Sequence, residues 1–188
     1  LRVAVLPWQS SKGQQDKLQP LAKYLGTHLK HPVNFQITKN YAEAVDLIVK
    51  EEVDMAYLAA LTYIKARERN PNIRPLVIPI NRISARPWYT SVIIADTTKN
   101  IKTIEDLKGK RFAFVSPSST SGFLIPMNGL QTAGIDPTRD FSKIRYSGSH
   151  DQATQDLVDG VVDAVTNDKA SFLRSQKSGK LDANYKII

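Results

Sequence analysis

Cysteine is absent from the 188 residues, which excludes disulfides, thiolate metal sites and cysteine nucleophiles. No apolar stretch approaches the roughly 18–20 residues that a membrane-spanning helix needs. No basic segment followed by an apolar one opens the chain. Residues 1–6, Leu-Arg-Val-Ala-Val-Leu, already read as a strand, so a secretory leader is expected to have been removed or not included. No carboxylate cluster has metal-ligand spacing, and His28 and His31 flank a helix end and read as structural. There is no Gly-x-Ser-x-Gly elbow of a serine hydrolase and no Gly-Lys-Ser/Thr ending of a nucleotide-binding loop. Internal repeats and low-complexity segments are also missing.

What is present is an ordinary globular mixture, 41% hydrophobic and 23% charged, long enough for one domain or two small lobes. The formal net charge is +8, a balance that first brings nucleic acid to mind. The basic residues are scattered, however. The densest run, Lys65-Ala66-Arg67-Glu68-Arg69, carries an acid inside it, and no Lys/Arg stripe is interleaved with exposed aromatics. The expectation is therefore a basic solvated surface with a mild preference for small anions, and no nucleic-acid partner.

Strand and helix signals alternate along the chain. Apolar runs at 3–6, 33–37, 54–57 and 76–80 read as strands. Helical spacing of Leu18, Leu21, Ala22, Leu25 and Leu29, a capping box at Asn40 with Glu43 three residues on, and residues 61–67 read as helices. A second series follows, with strands expected at 89–95, 111–115, 144–146, 161–166 and 185–188. Helices are expected at 103–107, 122–132, 169–175 and from a second capping box, Ser149 with Gln152, through Val158. Such alternation predicts α/β architecture with mostly parallel sheets in two lobes. The break is expected in the polar stretch 81–88. The boundaries are residues 1–84 for the first lobe and 85–184 for the second, with 185–188 starting a return crossing.

The sharpest local signal is the run Phe112-Ala113-Phe114-Val115-Ser116-Pro117-Ser118-Ser119-Thr120-Ser121-Gly122-Phe123. A buried strand passes through small hydroxyl residues into a helix. Open α/β sheets bind ligands at the carboxyl ends of their strands. A helix start offers unpaired N–H groups and partial positive charge, hydroxyls add donors, and Gly122 would let a ligand approach the backbone. Together these predict a socket for a tetrahedral oxyanion with no metal, lysine or cofactor. One hydroxyl would suffice as a cap, and three in a row exceed that need. His150, one residue after the cap Ser149, could donate toward the same place, or be an ordinary surface histidine. Tyr41, Tyr57 and Tyr89 stand at strand–helix junctions or a lobe crossing, where a phenol can serve an oxyanion and a ring can pack. Ser121, His150 and Asp151 could be named as a catalytic triad. Asp151 adjoins His150 in sequence, poor geometry for orienting the ring, so no enzyme is expected.

Ser119-Thr120-Ser121-Gly122-Phe123-Leu124-Ile125-Pro126 resembles the signature of the phosphate/phosphite/phosphonate-binding subunits of ABC transporters. Asn40-Tyr41-Ala42, Val53-Asp54-Met55-Ala56-Tyr57, Tyr89-Thr90-Ser91-Val92, Asp106-Leu107-Lys108-Gly109-Lys110, Ser147-Gly148-Ser149-His150 and Val162-Asp163-Ala164-Val165-Thr166-Asn167 follow the same family in the same order. The resemblance implies a type II periplasmic-binding fold, two α/β lobes closing on a ligand. It implies that Ser119, Thr120, Ser121 and His150 hold phosphonyl oxygens from the second lobe. Tyr41 would reach from the first lobe, Tyr89 would lie near the crossing, and Tyr57 is a weaker match. The implied function is extracytoplasmic capture of a phosphonate, phosphite or phosphate for a membrane permease, at a periplasmic, membrane-associated location. The same fold would also suit a ligand-sensing extracytoplasmic domain of a receptor such as a histidine kinase.

The chain departs from the family pattern in two places. It ends at Ile188, where the family continues, so the first lobe is expected to be incomplete at its C-terminal side. Members that take aminoalkylphosphonates place a carboxylate on the helix after the Asn167 strand, and the matching position here is Ala170, with Asp168 nearby. A desolvated ammonium without a partner is costly to bury. Calorimetry is therefore expected to find no preference for 2-aminoethylphosphonate over ethylphosphonate. A more than tenfold tighter aminated ligand would show that another carboxylate serves the amine.

Overall fold

Alternating small and β-branched residues give strand β1, Arg2–Val5, whose Val3, Ala4 and Val5 are all buried. The computed structural model describes residues 1–9, 11–80 and 85–188. Helix α1, Ser11–Leu29, returns over the sheet. Its Leu18 joins Val3, Val5 and Val33 in the core, with Leu25, Phe35, Met55 and Trp8 packed around them, whereas Leu21 and Leu29 face solvent. Then come β2, Asn34–Ile37; α2, Tyr41–Val49; β3, Met55–Tyr57; and α3, Ala60–Arg69. The three strands form a parallel sheet in the order β2-β1-β3.

The Asn40 cap forms as the sequence predicts, since Asn40 Oδ1 accepts from Glu43 N–H at 2.9 Å. Glu43 reaches back one residue further than a capping box requires and accepts from Lys39 N–H.

Residues 76–80 do not form the expected strand, and Leu76, Val77, Ile78 and Ile80 stand exposed. Their β-branched character is a strand signal, but a strand needs the backbone of a neighbour. The first sheet ends at β3. The chain divides into two compact units, Leu1–Leu76 and Val77–Ile188. Of the expected break at 81–88, residues 81–84 lie outside the described residues.

The second unit is built on β4, Ser91–Asp96; β5, Arg111–Phe114; β6, Lys143–Tyr146; β7, Ala164–Asp168; and β8, Tyr185–Ile187. Their order is β6-β5-β7-β4-β8. β5 runs parallel to β6 and β7, and β4 runs antiparallel to β7 and β8. The last strand, expected to begin a return crossing, pairs at the edge of this sheet. Helices α4, Ile125–Thr132; α5, Pro137–Asp140; α6, His150–Val158; and α7, Lys169–Lys177, connect the strands. The short α5 has no counterpart among the expected elements. The core gathers Ile93, Ala95, Ile101, Leu107, Phe112, Phe114, Leu130, Ile135, Phe141 and Ala164. Within it the Phe112 ring stacks on Phe141 at 4.6 Å and meets Phe114 edge-on at 4.9 Å.

Two carboxylates bind this sheet to its connections. Asp163 accepts from Arg111 N–H at 2.9 Å and from the Arg111 guanidinium at 2.6 and 3.1 Å. Asp156 accepts from Arg145, Ser147 and Gln152. Burial alone would raise the pKa of Asp163, but the Arg111 hydrogen bonds and charge outweigh it and hold the carboxyl below its ordinary value. The folded chain thus binds this proton less readily than the unfolded one. The stabilisation is complete above the unfolded carboxylate pKa and is lost as pH falls below about 4. Asp163→Ala is expected to cost about 1–3 kcal/mol in urea unfolding at neutral pH, because the Arg111 donors lose their acceptor. The gap from wild type should narrow in acid, and a gap constant down to about pH 3 would rule this account out.

Candidate functional site

The carboxyl end of β5 leads through Ser116 and Pro117 to Ser119, whose side chain caps the next helical turn. Ser119 Oγ accepts from Gly122 N–H at 3.0 Å, leaving its own hydroxyl hydrogen to donate elsewhere. This turn, Thr120–Leu124, is π-helical and runs directly into α4. Ser119 and Ser121 are buried, and Thr120 is partly so.

Three strands hold this helix start. The Gly122 carbonyl accepts from Val115 N–H at 2.9 Å and from Thr166 Oγ1 at 2.7 Å. The Ser121 carbonyl accepts from Ser91 Oγ at 2.7 Å. Residues 119–121 are thus fixed at the sheet edge where β5 and β7 end and β4 begins. The sequence assigns Gly122 to close approach by a ligand, but the structure gives another reason for it. A Cβ built on Gly122 would lie 2.4 Å from Val115 Cβ and 2.5 Å from Val115 Cγ2, so the glycine is required by packing against the strand end.

His150 arrives at the same edge. The turn after β6 is tied to the end of β5 by Ser147 N–H to Phe114 O at 2.9 Å and Gly148 N–H to Val115 O at 2.8 Å. Ser149 then caps α6, its Oγ accepting from Gln152 N–H at 3.1 Å. Only half of the expected capping box forms, because the Gln152 amide donates to Asp156 at 2.9 Å. His150 is the first residue of α6 and is buried. Its Nδ1 lies 2.8 Å from Asn167 Oδ1 and 3.8 Å from Asp168 Oδ2. Burial lowers its pKa; the Asp168 charge and the Asn167 hydrogen bond oppose the shift without reversing it. The partner of Nδ1 is Asn167 rather than Asp151, which leaves the considered Ser121–His150–Asp151 triad without its orienting bond.

Tyr89 precedes β4 on this edge and is half exposed. Asp168 caps α7, accepting from Ser171 N–H at 2.8 Å and from Ser171 Oγ, while Ala170 sits partly buried in the first turn. The structure therefore brings Ser119, Thr120, Ser121, His150 and Tyr89 to one sheet edge of the second unit. Tyr41 and Tyr57 belong to the first unit, at the carboxyl edge of its own sheet. Tyr41 opens α2 and is buried. Tyr57 ends β3, and its ring lies 5.3 Å from that of Trp8.

Sequence reasoning misses two residues at these edges. Trp8 follows β1 at the same edge as Tyr57. Asn167, fully buried, is the penultimate residue of β7 and carries the His150 contact. A polar residue closing the buried run Val162-Asp163-Ala164-Val165-Thr166 is the signal that could have found it.

The model of the family described as ABC transporter, phosphonate, periplasmic substrate-binding protein matches residues 3–187. The phosphate-import protein PhnD of Mycolicibacterium smegmatis is 30% identical over 172 residues, 87% of this chain and 53% of that protein. The probable ABC transporter phosphite binding protein PhnD1 of Prochlorococcus marinus is 30% identical over 186 residues, 95% of this chain and 61% of that protein. The solved structure of the Prochlorococcus PhnD1 in complex with methylphosphonate superposes with a TM-score of 0.86 at 27% identity, covering 100% of this chain and 71% of that one. The solved relatives are type II periplasmic binding proteins, the fold this chain shares. The chain spans about half the length of the first of the curated relatives it matches.

The packing of Gly122 can be tested alone. Gly122→Ala drives a methyl group into the Val115 side chain, which is anchored on the strand. Overpacking of this kind costs about 1–3 kcal/mol. A lowered midpoint in chemical unfolding is expected. An unchanged midpoint would mean that the strand end yields freely.

Proposed function

This chain belongs to the periplasmic phosphonate substrate-binding proteins of ABC transporters, and on that premise we propose that it captures a phosphorus oxyanion, phosphonate, phosphite or phosphate, and delivers it to a membrane permease. The observation that carries this reading is the meeting of two capped helix starts, Ser119 with Thr120 and Ser121, and Ser149 with His150, on the joined ends of β5 and β7.

Each element contributes something a tetrahedral anion needs. First-turn N–H groups have no acceptor within their own helix, and the aligned peptide dipoles favour negative charge. The Ser119 hydroxyl keeps a hydrogen to donate while its lone pair caps Gly122 N–H. The helix start is held to three strands, so the donors are in place before the anion arrives and little ordering is required on binding. Ser119, Thr120, Ser121 and His150 are the groups we assign to the oxyanion head. Tyr89, Tyr41 and Tyr57 are assigned as phenolic donors and apolar walls, the last two on the first unit's own sheet edge. The proposed role is binding and transfer rather than catalysis. The family operates in the periplasm, and delivery to a permease would bring this chain to the membrane surface.

Calorimetry with methylphosphonate, phosphite and phosphate tests the proposal. Ser121→Ala is expected to weaken binding about tenfold to a hundredfold, equivalent to the roughly 1.5–3 kcal/mol of a hydrogen bond to a charged group. The thermal midpoint should stay near wild type. An unchanged Kd would remove Ser121 from the site.

A further inference from the structure

Asn167 has its amide orientation set by main-chain groups that allow no choice. Asp168 N–H, which can only donate, lies 2.8 Å from Oδ1. The His150 carbonyl, which can only accept, lies 3.2 Å from Nδ2, and Thr154 Oγ1 lies 3.0 Å from the same nitrogen. Oδ1 is therefore the atom that meets His150 Nδ1 at 2.8 Å. An amide oxygen only accepts, so Nδ1 must carry the hydrogen.

In a neutral ring this leaves a lone pair on Nε2. That atom makes no hydrogen bond among the described residues, and no buried side-chain polar atom among them lacks a partner. Nε2 therefore lies on accessible surface. The charged groups around the ring come from three places. Asp168 stands at the β7–α7 junction, 3.8 Å from Nδ1. Asp151 is the next residue of α6, and Arg174 of α7 donates to Ser171 Oγ at 2.6 Å. Burial and Arg174 disfavour the imidazolium, Asp168 and Asp151 favour it, and burial prevails.

We infer that Asn167 is a specificity-determining positioning residue: it locks His150 with the proton on Nδ1, so that Nε2 accepts a hydrogen bond from the P–OH of a singly protonated phosphorus oxyanion. This rests on the oxyanion-binding reading above and narrows it to an ionisation state. A tetrahedral anion with no proton to give, such as a sulfonate or sulfate, sets an oxygen lone pair against the Nε2 lone pair. The helix-start donors serve both kinds of anion, so discrimination falls to His150. No proton needs to change hands. A ligand that arrives fully deprotonated takes up one proton on binding.

Methylphosphonate and methanesulfonate make the comparison clean, because both carry one negative charge at about pH 5, below the second ionisation of phosphoryl groups near 6, and differ in the P–OH. Calorimetry on the wild-type protein is expected to show methylphosphonate about tenfold to a hundredfold tighter, the range for one hydrogen bond to a charged group. Two-bond ¹H–¹⁵N spectra of the ligand-free protein should show His150 protonated at Nδ1 and bare at Nε2. In Asn167→Ala the ring is free to exchange tautomers, and the preference should shrink to less than about threefold as an Nε2–H form becomes accessible. Equal affinity for the two anions in the wild type, or a proton on Nε2, overturns the inference while oxyanion capture stands. Failure of both anions to bind overturns oxyanion capture and this inference with it. Should Asn167→Ala not fold, the wild-type affinity ratio and nitrogen spectrum decide the matter.

Discussion

The Gly122 carbonyl takes hydrogen bonds from Val115 N–H and from Thr166 Oγ1, and the candidate site depends on this double attachment. It joins the start of one helix to the ends of two neighbouring strands, β5 and β7. The approach is possible only because residue 122 has no side chain, since the space a Cβ would occupy is filled by Val115. Ser119 completes the arrangement by capping the Gly122 N–H. One residue thus has its donor satisfied by the cap and its acceptor satisfied by the sheet. The flanking hydroxyl residues are held at the sheet edge without having to hold themselves there.

The second helix start is secured by a different device at the same edge. The turn carrying Ser147 and Gly148 continues the pairing of β6 with β5 beyond the strand ends. Asn167 then spends both ends of its amide on the main chain of His150 and Asp168 and still presents Oδ1 to the ring. Such a network has little freedom once buried, because each donor that lost its acceptor would carry a desolvation penalty. Fixing a ring tautomer is a consequence of that satisfaction. Asp168, the charge nearest the ring, is already committed to capping α7 through Ser171.

The two units differ in how their sheets end. The second carries five strands with a large aromatic core and an antiparallel edge. The first has three parallel strands and ends, after α3, at the exposed Leu76. In both units the residues assigned to ligand binding sit at the edge where parallel strands deliver their carboxyl ends to helices, the general location for ligands in open α/β sheets. Tyr41 at the start of α2 and His150 at the start of α6 occupy equivalent places in their own units, each immediately after a side-chain cap.

The sequence by itself determined what is local. Strand–helix alternation, the caps at Asn40 and Ser149, the hydroxyl cluster between β5 and α4, and the family signature all rest on residues within a few positions of one another. Propensity and capping act over that range. Tertiary structure alone decided which partner each group found. Residues 76–80 have strand character but no neighbouring backbone. Gln152 left its own helix cap for Asp156, and Gly122 packs against Val115. Asn167 met a histidine 17 positions away. Hydrogen bonds and close packing are satisfied by whatever group the folded chain brings within about 3 Å, and chain separation in sequence does not record that distance.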